Sequence, residues 1–110
     1  MSESLAERRC VPCRGGVPPL SLEEVTRLLG QVEGWQAPGS RRLTKSLEFS
    51  NFVTALDFVN HVGRLAEEQG HHPDLHLAWG KVGVELWTHK IDGLTESDFV
   101  MAAKIDRLPR

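Results

Sequence analysis

The 110-residue chain lacks a long apolar run, a strong net charge and more than two cysteines. Its longest apolar runs are far shorter than the roughly 20 residues that a membrane-spanning helix needs. Its N-terminal residues carry charges and no apolar segment of the kind that a secretory signal contains, so we expect a cytoplasmic protein. The net charge is −2 and the basic residues are scattered, which argues against a surface that binds nucleic acid.

The two cysteines lie near the N-terminus in the segment Cys10-Val11-Pro12-Cys13. A structural zinc site needs two more ligands at matching spacing, and the sequence has no second cysteine pair. A thioredoxin-like motif would open a helix, whereas glycine and proline follow here. We therefore interpret the pair as part of a tail without a function of its own. An adventitious metal site and an intermolecular disulfide are the alternatives.

The apolar fraction of 40% is enough for a single domain with a modest core. Residues 1–19 contain several glycines and prolines, which interrupt any helical or strand periodicity. We expect these residues to form an extended or disordered arm that adds little to the core. Residues 20–110 carry the periodic patterns and form the predicted folded domain.

The first half of that domain predicts two helices separated by a strand. Ser21-Leu22-Glu23-Glu24 is a capping box that opens a short helix. Apolar residues at alternate positions predict a half-buried strand over about 41–49. A longer second helix begins after Ser50 or Asn51 and ends at Gly70. The apolar residues spaced to share its buried face are Phe52, Leu56, Val59, Gly63 and Ala66.

The second half predicts a hairpin followed by a helix. After Pro73 apolar and polar residues alternate, and the chain turns near residues 80–81. Thr95-Glu96-Ser97-Asp98 then caps the last helix. This order of elements predicts an α+β, two-layer domain, with an antiparallel sheet of about four strands and three helices on one face.

All five histidines fall between residues 61 and 89. Imidazole exchanges protons near neutral pH, so such a cluster indicates either acid–base catalysis or a metal site. His72 and His76 have the spacing of a helical metal site, but Pro73 between them disfavours a helix. His71 and His72 are adjacent and tend to point in different directions in an extended segment. We therefore expect no bound metal.

Acid–base chemistry fits the spacing better. Gly70 ends the second helix, and the proline that follows keeps His71 and His72 in extended or turn geometry. The hairpin returns His89 to the level of His72. Two histidines in one pocket can divide proton donation and acceptance, and a carboxylate one helical turn back, Glu67, can keep one of them protonated or orient its ring.

The remaining tryptophans and histidines of this region are either candidate walls of the pocket or residues without a part in the chemistry. Trp79 or Trp87 can supply an apolar or stacking wall, and the sequence leaves the choice between them open. His61 lies in the middle of a helix and His76 at the start of a strand, and we interpret both as structural or surface residues.

These residues resemble, in type and spacing, the signature of the pterin-4a-carbinolamine dehydratases. The matching positions are Glu67, His71-His72-Pro73, Trp79, His89 and Asp98. Further segments resemble that family's hairpin and final helix, namely Lys81-Val82, Thr88-His89, Gly93-Leu94-Thr95 and 102–105. The resemblance covers about residues 19–108, and residues 10–20 resemble extensions on bacterial members.

The resemblance implies removal of water from 4a-hydroxytetrahydropterin to give quinonoid dihydropterin, in the recycling of tetrahydropterin for aromatic amino-acid hydroxylation. It implies no metal, nucleotide or redox cofactor. By the same resemblance His71 and His89 are acid–base residues near opposite faces of the pterin. His72 binds substrate and assists catalysis, and Glu67 orients or tunes His71. Asp98 shapes the pocket near His89 and contacts the substrate, and the pterin stacks or packs against Trp79 or Trp87.

Relatives of the same fold suggest an alternative function, a non-catalytic protein-binding module such as a Rubisco/carboxysome assembly factor. A binding module needs no histidine cluster, so the intact histidines favour the enzyme. Besides the pterin, the partners implied by the resemblance are an aromatic amino-acid hydroxylase or an assembly client. The resemblance also implies a homodimer or homotetramer in which exposed edge strands pair.

Overall fold

A computed structural model describes residues 4–11 and 15–109 of the chain. In this part of the chain, three α-helices and a three-stranded antiparallel sheet form an α+β domain, which confirms the predicted class. The helices are α1 (Leu22–Leu29), α2 (Phe52–Gln69) and α3 (Glu96–Asp106). The strands are β1 (Leu43–Glu48), β2 (Asp74–Ala78) and β3 (Lys81–Leu86).

The predicted number of about four strands is wrong, because the segment before β1 does not extend into a strand. Gln36 forms a single antiparallel bridge with Thr44. Pro38–Ser40 then forms a turn of 3-10 helix, in which Gly39 has a φ of 64°. This turn redirects the chain after one pair of hydrogen bonds, so only β1 continues along β3.

The sheet order is β1-β3-β2, and β2 and β3 form the predicted hairpin. The chain turns at Trp79 and Gly80, where the glycine has a φ of 67°. A Cβ at Gly80 would come within 2.9 Å of the Phe49 carbonyl oxygen, so the turn needs glycine there. Asp74 pairs with Glu85, so the residues just before β2 lie level with those just after β3.

Helix α2 begins and ends as predicted but buries a different face. The Asn51 side chain accepts a hydrogen bond from the Thr54 N–H at 2.9 Å, and Gly70 ends the helix in the left-handed region. The buried residues are Ala55, Phe58, Val62 and Ala66. Phe52 and Leu56 were expected in the core and are 44% and 38% exposed. The helix carries two neighbouring apolar stripes, and the sheet and α3 cover only one of them.

The N-terminal arm also differs from the expectation. Leu5–Glu7 forms a turn of 3-10 helix against α3, and Leu5 is 2% exposed in the core. The expectation that the arm adds little to the core is therefore wrong at Leu5. The division of the chain between residues 19 and 20 stays a prediction, and Pro12, Cys13 and Arg14 lie outside the described residues.

Within residues 4–11 and 15–109, no helix is both long enough and apolar enough to cross a membrane.

Candidate active site

His71 and Asp98 form the innermost pair of the site. After α2 ends at Gly70, the His71 N–H donates to the Ala66 carbonyl at 3.2 Å, which turns the side chain toward α3. Its Nε2 lies 2.6 Å from Oδ1 of Asp98, in the first turn of α3. The Asp98 side chain is fully buried, and that of His71 is 14% exposed. Asp98, which belongs to the capping box of α3, is thus the hydrogen-bond partner of His71, which follows the end of α2.

The other partners of Asp98 are donors. Its Oδ2 accepts from the Thr95 backbone N–H at 2.9 Å and from the Thr88 hydroxyl at 2.7 Å. An ionised carboxylate only accepts hydrogen bonds, so with Asp98 in that form the proton of the pair lies on Nε2 of His71. Nδ1 is then the ring nitrogen left for a substrate. Asp98 was predicted to contact the substrate, but its burial makes it a partner of His71 instead.

His72 points to the other side of the chain and pairs with Glu67. The distance from His72 Nε2 to Glu67 Oε2 is 2.5 Å, and the two side chains are 60% and 79% exposed. The predicted pairing of Glu67 with His71 is therefore wrong. Successive side chains in an extended segment point in opposite directions, so His71 turns in toward α3 while His72 stays at the surface beside Glu67.

His89 follows β3 and stacks on Trp87. The two ring centroids are 3.9 Å apart, with an angle of 17° between the planes. The guanidinium carbon of Arg42 lies 3.6 Å from the indole centroid, and Arg42 donates to Asp92 at 3.0 Å. Sequence reasoning missed Arg42. The register that pairs Leu43 with Leu86 places it opposite Trp87, a signal that requires the strand pairing first.

The three histidines His71, His72 and His89, together with Trp87, open onto one cavity of about 450 Å³ at the end of the sheet opposite the hairpin turn. The lining residues are Gly70, His71, His72, Pro73, Asp74, Trp87, Thr88, His89 and Lys90. The structure therefore brings together three predicted histidines and Trp87, and adds Lys90, which the sequence did not single out.

The remaining predicted residues lie elsewhere. Trp79 is 73% exposed at the hairpin turn, at the far end of β2 and β3. His76 lies on β2 and lines a different cavity beside Gly83. His61 lies within α2, and its buried Nδ1 makes no hydrogen bond in the described structure. Among residues 4–11 and 15–109, no three histidine, cysteine, aspartate or glutamate side chains are grouped as metal ligands.

The model of the family described as pterin 4 alpha carbinolamine dehydratase matches residues 18–108. The chain belongs to this family. A relative from Rubrobacter xylanophilus is 61% identical over 108 residues, which cover 98% of this chain and 100% of the relative. A relative from Rickettsia canadensis is 50% identical over 103 residues, covering 93% of this chain and 94% of the relative. Both carry the provisional name pterin-4-alpha-carbinolamine dehydratase.

A solved structure shares the fold of this dehydratase family member. The transcriptional coactivator/pterin dehydratase from Brucella melitensis superimposes with a TM-score of 0.75 at 36% sequence identity. The match covers 80% of this chain and 95% of the Brucella chain. The family resemblance stated from the signature residues is thereby confirmed, together with the α+β fold.

Proposed function

We propose that this member of the family dehydrates 4a-hydroxytetrahydropterin to quinonoid dihydropterin, in the recycling of tetrahydropterin for aromatic amino-acid hydroxylation in the cytoplasm. The observation that carries the proposal is the shared cavity of His71 and His89. Outside the lining of this cavity a buried carboxylate holds one of the two histidines by a single nitrogen, and the other histidine rests on an indole.

The chemistry needs one proton to arrive and one to leave. As the C4a–O bond breaks, the oxygen takes a proton and departs as water, because hydroxide is a poor leaving group. N5 gives up its proton, and its electrons form the C4a–N5 double bond. Two histidines on opposite faces of the pterin supply and remove these protons. No metal, nucleotide or redox group takes part in this step.

The residues around His71 and His89 orient these histidines and bind the substrate. Asp98 acts through His71, since its carboxylate holds Nε2 of the ring and leaves Nδ1 for the substrate. His72 lies at the rim of the cavity, where Glu67 holds its ring for contact with the pterin. Trp87, which lines the cavity, is the indole we propose beside the substrate, in place of the distant Trp79.

The test is a stopped-flow assay of chemically generated 4a-hydroxytetrahydropterin. We expect His71→Ala and His89→Ala each to lower turnover by roughly 10²-fold or less, the lower range for one acid–base group. The double variant should lose far more, because neither face of the pterin then has a proton donor or acceptor. His72→Ala should mainly raise KM.

His61→Ala is the control, since His61 lies within α2 away from the cavity. It should keep wild-type turnover and KM. The proposal fails if the wild-type protein is no faster than buffer, or if the double variant equals the wild type.

A second candidate function is a protein-binding module. The observation that favours it is an apolar patch on α2, where Phe52, Val53 and Leu56 are 44%, 64% and 38% exposed. The name of the Brucella relative includes a coactivator role for that protein. Absence of dehydratase activity in the wild-type protein, with the histidine site intact, would favour this function.

A further inference from the structure

The N-terminal segment of residues 4–11, which we call the strap, lies along the whole of α3. Near the end of the helix the Ala6 carbonyl accepts a hydrogen bond from Lys104 Nζ at 2.8 Å. At its start Arg8 forms an ion pair with Glu96. The strap therefore runs antiparallel to α3, anchored at one end by the buried side chain of Leu5.

The other end of the strap joins α3 to α2. The Val11 N–H donates to the Ser97 hydroxyl at 2.8 Å, and that hydroxyl lies 3.2 Å from the Val11 carbonyl, to which it donates. The Cys10 N–H donates to the side-chain oxygen of Gln69 at 3.1 Å. Ser97 is 6% exposed, so these bonds satisfy a buried hydroxyl. Two neighbouring backbone amides thus hold the last residue of α2 and the second residue of α3.

These contacts lie next to the catalytic pair in sequence. Gln69 is two residues before His71, and Ser97 immediately precedes Asp98. The 2.6 Å bond between His71 and Asp98 joins the same two helix ends. Any movement of one end relative to the other would therefore change that bond.

We infer that the strap positions the His71–Asp98 pair, and that Ser97 and Gln69 are positioning residues for the reaction. This inference rests on the proposed function. A displacement of about 1 Å in a catalytic group can cost roughly 10²-fold in rate, so two bonds that fix the spacing of the helix ends have a large effect on turnover. Ser97, Gln69 and the described residues of the strap do not line the cavity, so they act on kcat rather than on binding of the pterin.

The experiment compares Ser97→Ala combined with Gln69→Leu against the wild-type chain. We expect kcat to fall by about tenfold, with KM within about twofold. Gln69→Glu keeps an oxygen that can accept a hydrogen bond from the Cys10 amide. We therefore expect the single variant Gln69→Glu to retain activity and the single variant Gln69→Leu to lose part of it. Leu47→Ala is the stability control, because Leu47 is a buried residue of β1 near the hairpin turn, away from the strap and from the cavity. It should lower the melting temperature and keep kcat.

A second measurement does not depend on activity. In ¹⁵N-histidine-labelled protein the Nε2-bound proton of His71, assigned by its loss in His71→Asn, should resonate far downfield because of the short bond to Asp98. In the double variant it should move upfield and exchange faster with water, while in Leu47→Ala it should stay unchanged.

The outcomes separate this inference from the proposed function. An active wild type whose double variant keeps both kcat and the His71 proton resonance would overturn the role of the strap. The same holds if Leu47→Ala lowers kcat as much as the double variant does, because the loss would then follow from lower stability alone. An inactive wild type would refute the dehydratase proposal, and the proton resonance would still decide whether the strap positions the pair.

Discussion

Asp98 combines three hydrogen bonds and full burial in one carboxylate, and in its ionised form it requires Nε2 of His71 to be the donor. An asparagine would match its shape but present one oxygen and one NH2 group. If the NH2 group faced Thr88 and Thr95, their hydroxyl and backbone N–H would lose an acceptor. If it faced His71 instead, Nε2 of His71 would have to be the acceptor, which requires the other tautomer. We expect Asp98→Asn to lower kcat by up to about 10²-fold, no more than His71→Ala does, with a smaller change in KM.

Stopped-flow turnover measures this effect, and Asp57→Asn, an exposed carboxylate within α2, is the matched control. The control should keep wild-type rates. Wild-type kcat in Asp98→Asn would show that the tautomer of His71 does not depend on the carboxylate.

The thiol of Cys10 reports on the packing of the strap. Its pKa is raised from 9.0 to about 11: burial is the largest cause, the charge of Lys104 opposes it, and the charge of Asp98 adds to it. Since the thiolate is the reactive form, a raised pKa means less thiolate at any pH below it. At pH 8 the thiolate fraction of Cys10 should be on the order of 10⁻³, roughly a hundredth of that of a free cysteine.

The measurement is alkylation of the Cys13→Ser variant, in which Cys10 is the remaining cysteine. The rate should increase by about tenfold per pH unit between pH 8 and 10, and unfolding in denaturant should abolish the protection. A native rate equal to that of a free thiol would contradict the packing of Cys10 against Ser97 and Gln69.

At the scale of elements, the strap should contribute measurably to stability. Leu5 is 2% exposed, whereas Val11, at the other end of the strap, is 69% exposed. Leu5→Ala should lower the free energy of unfolding by about 2–5 kcal/mol, the usual range for a buried leucine. Val11→Ala is the control and should change it by less than about 0.5 kcal/mol, since the bonds to Ser97 use only the Val11 backbone. Denaturant titration measures both, and equal effects would place Leu5 outside the core.

Local signals in the sequence were sufficient for the ends of the elements. The capping box at Ser21 and the glycine after α2 depend on neighbouring residues alone, and both are present as predicted. The buried face of α2 was not predictable in this way. Its two apolar stripes have similar spacing, and only the position of the sheet decides between them.

In the site, too, local signals predicted some features, and tertiary packing determined the others. The presence of His71, His72 and His89 at one end of the hairpin followed from the turn and the period of the strands. Their partners did not, because the His71–Asp98 bond joins residues 27 positions apart, and the Arg42–Trp87 contact depends on the pairing of β1 with β3. Charge and spacing allowed Glu67 as the partner of either histidine. The direction of each side chain after Gly70 decided in favour of His72.

At the scale of the whole molecule, the described residues include an edge strand and an apolar helix face that are uncovered in the single chain. The order β1-β3-β2 makes β2 an edge strand, and within the described residues it pairs with β3 alone. Exposed edges with free backbone groups favour pairing with another chain. The second apolar stripe of α2, formed by Phe52, Val53 and Leu56, is also uncovered in a single chain. Together they favour the homodimer or homotetramer that the family resemblance implies.

Light scattering at micromolar concentration should therefore give the mass of a dimer or tetramer. Phe52→Glu combined with Leu56→Glu should reduce that mass and leave the fold intact, because both side chains already face solvent in the single chain and the core does not depend on them. Leu22→Glu is the control, since Leu22 is an equally apolar residue on α1 with 69% exposure, and it should leave the mass unchanged. A monomeric wild type would refute the prediction. An unchanged mass in the double variant would instead assign the interface to the edge of β2, where main-chain hydrogen bonds are insensitive to charge on α2.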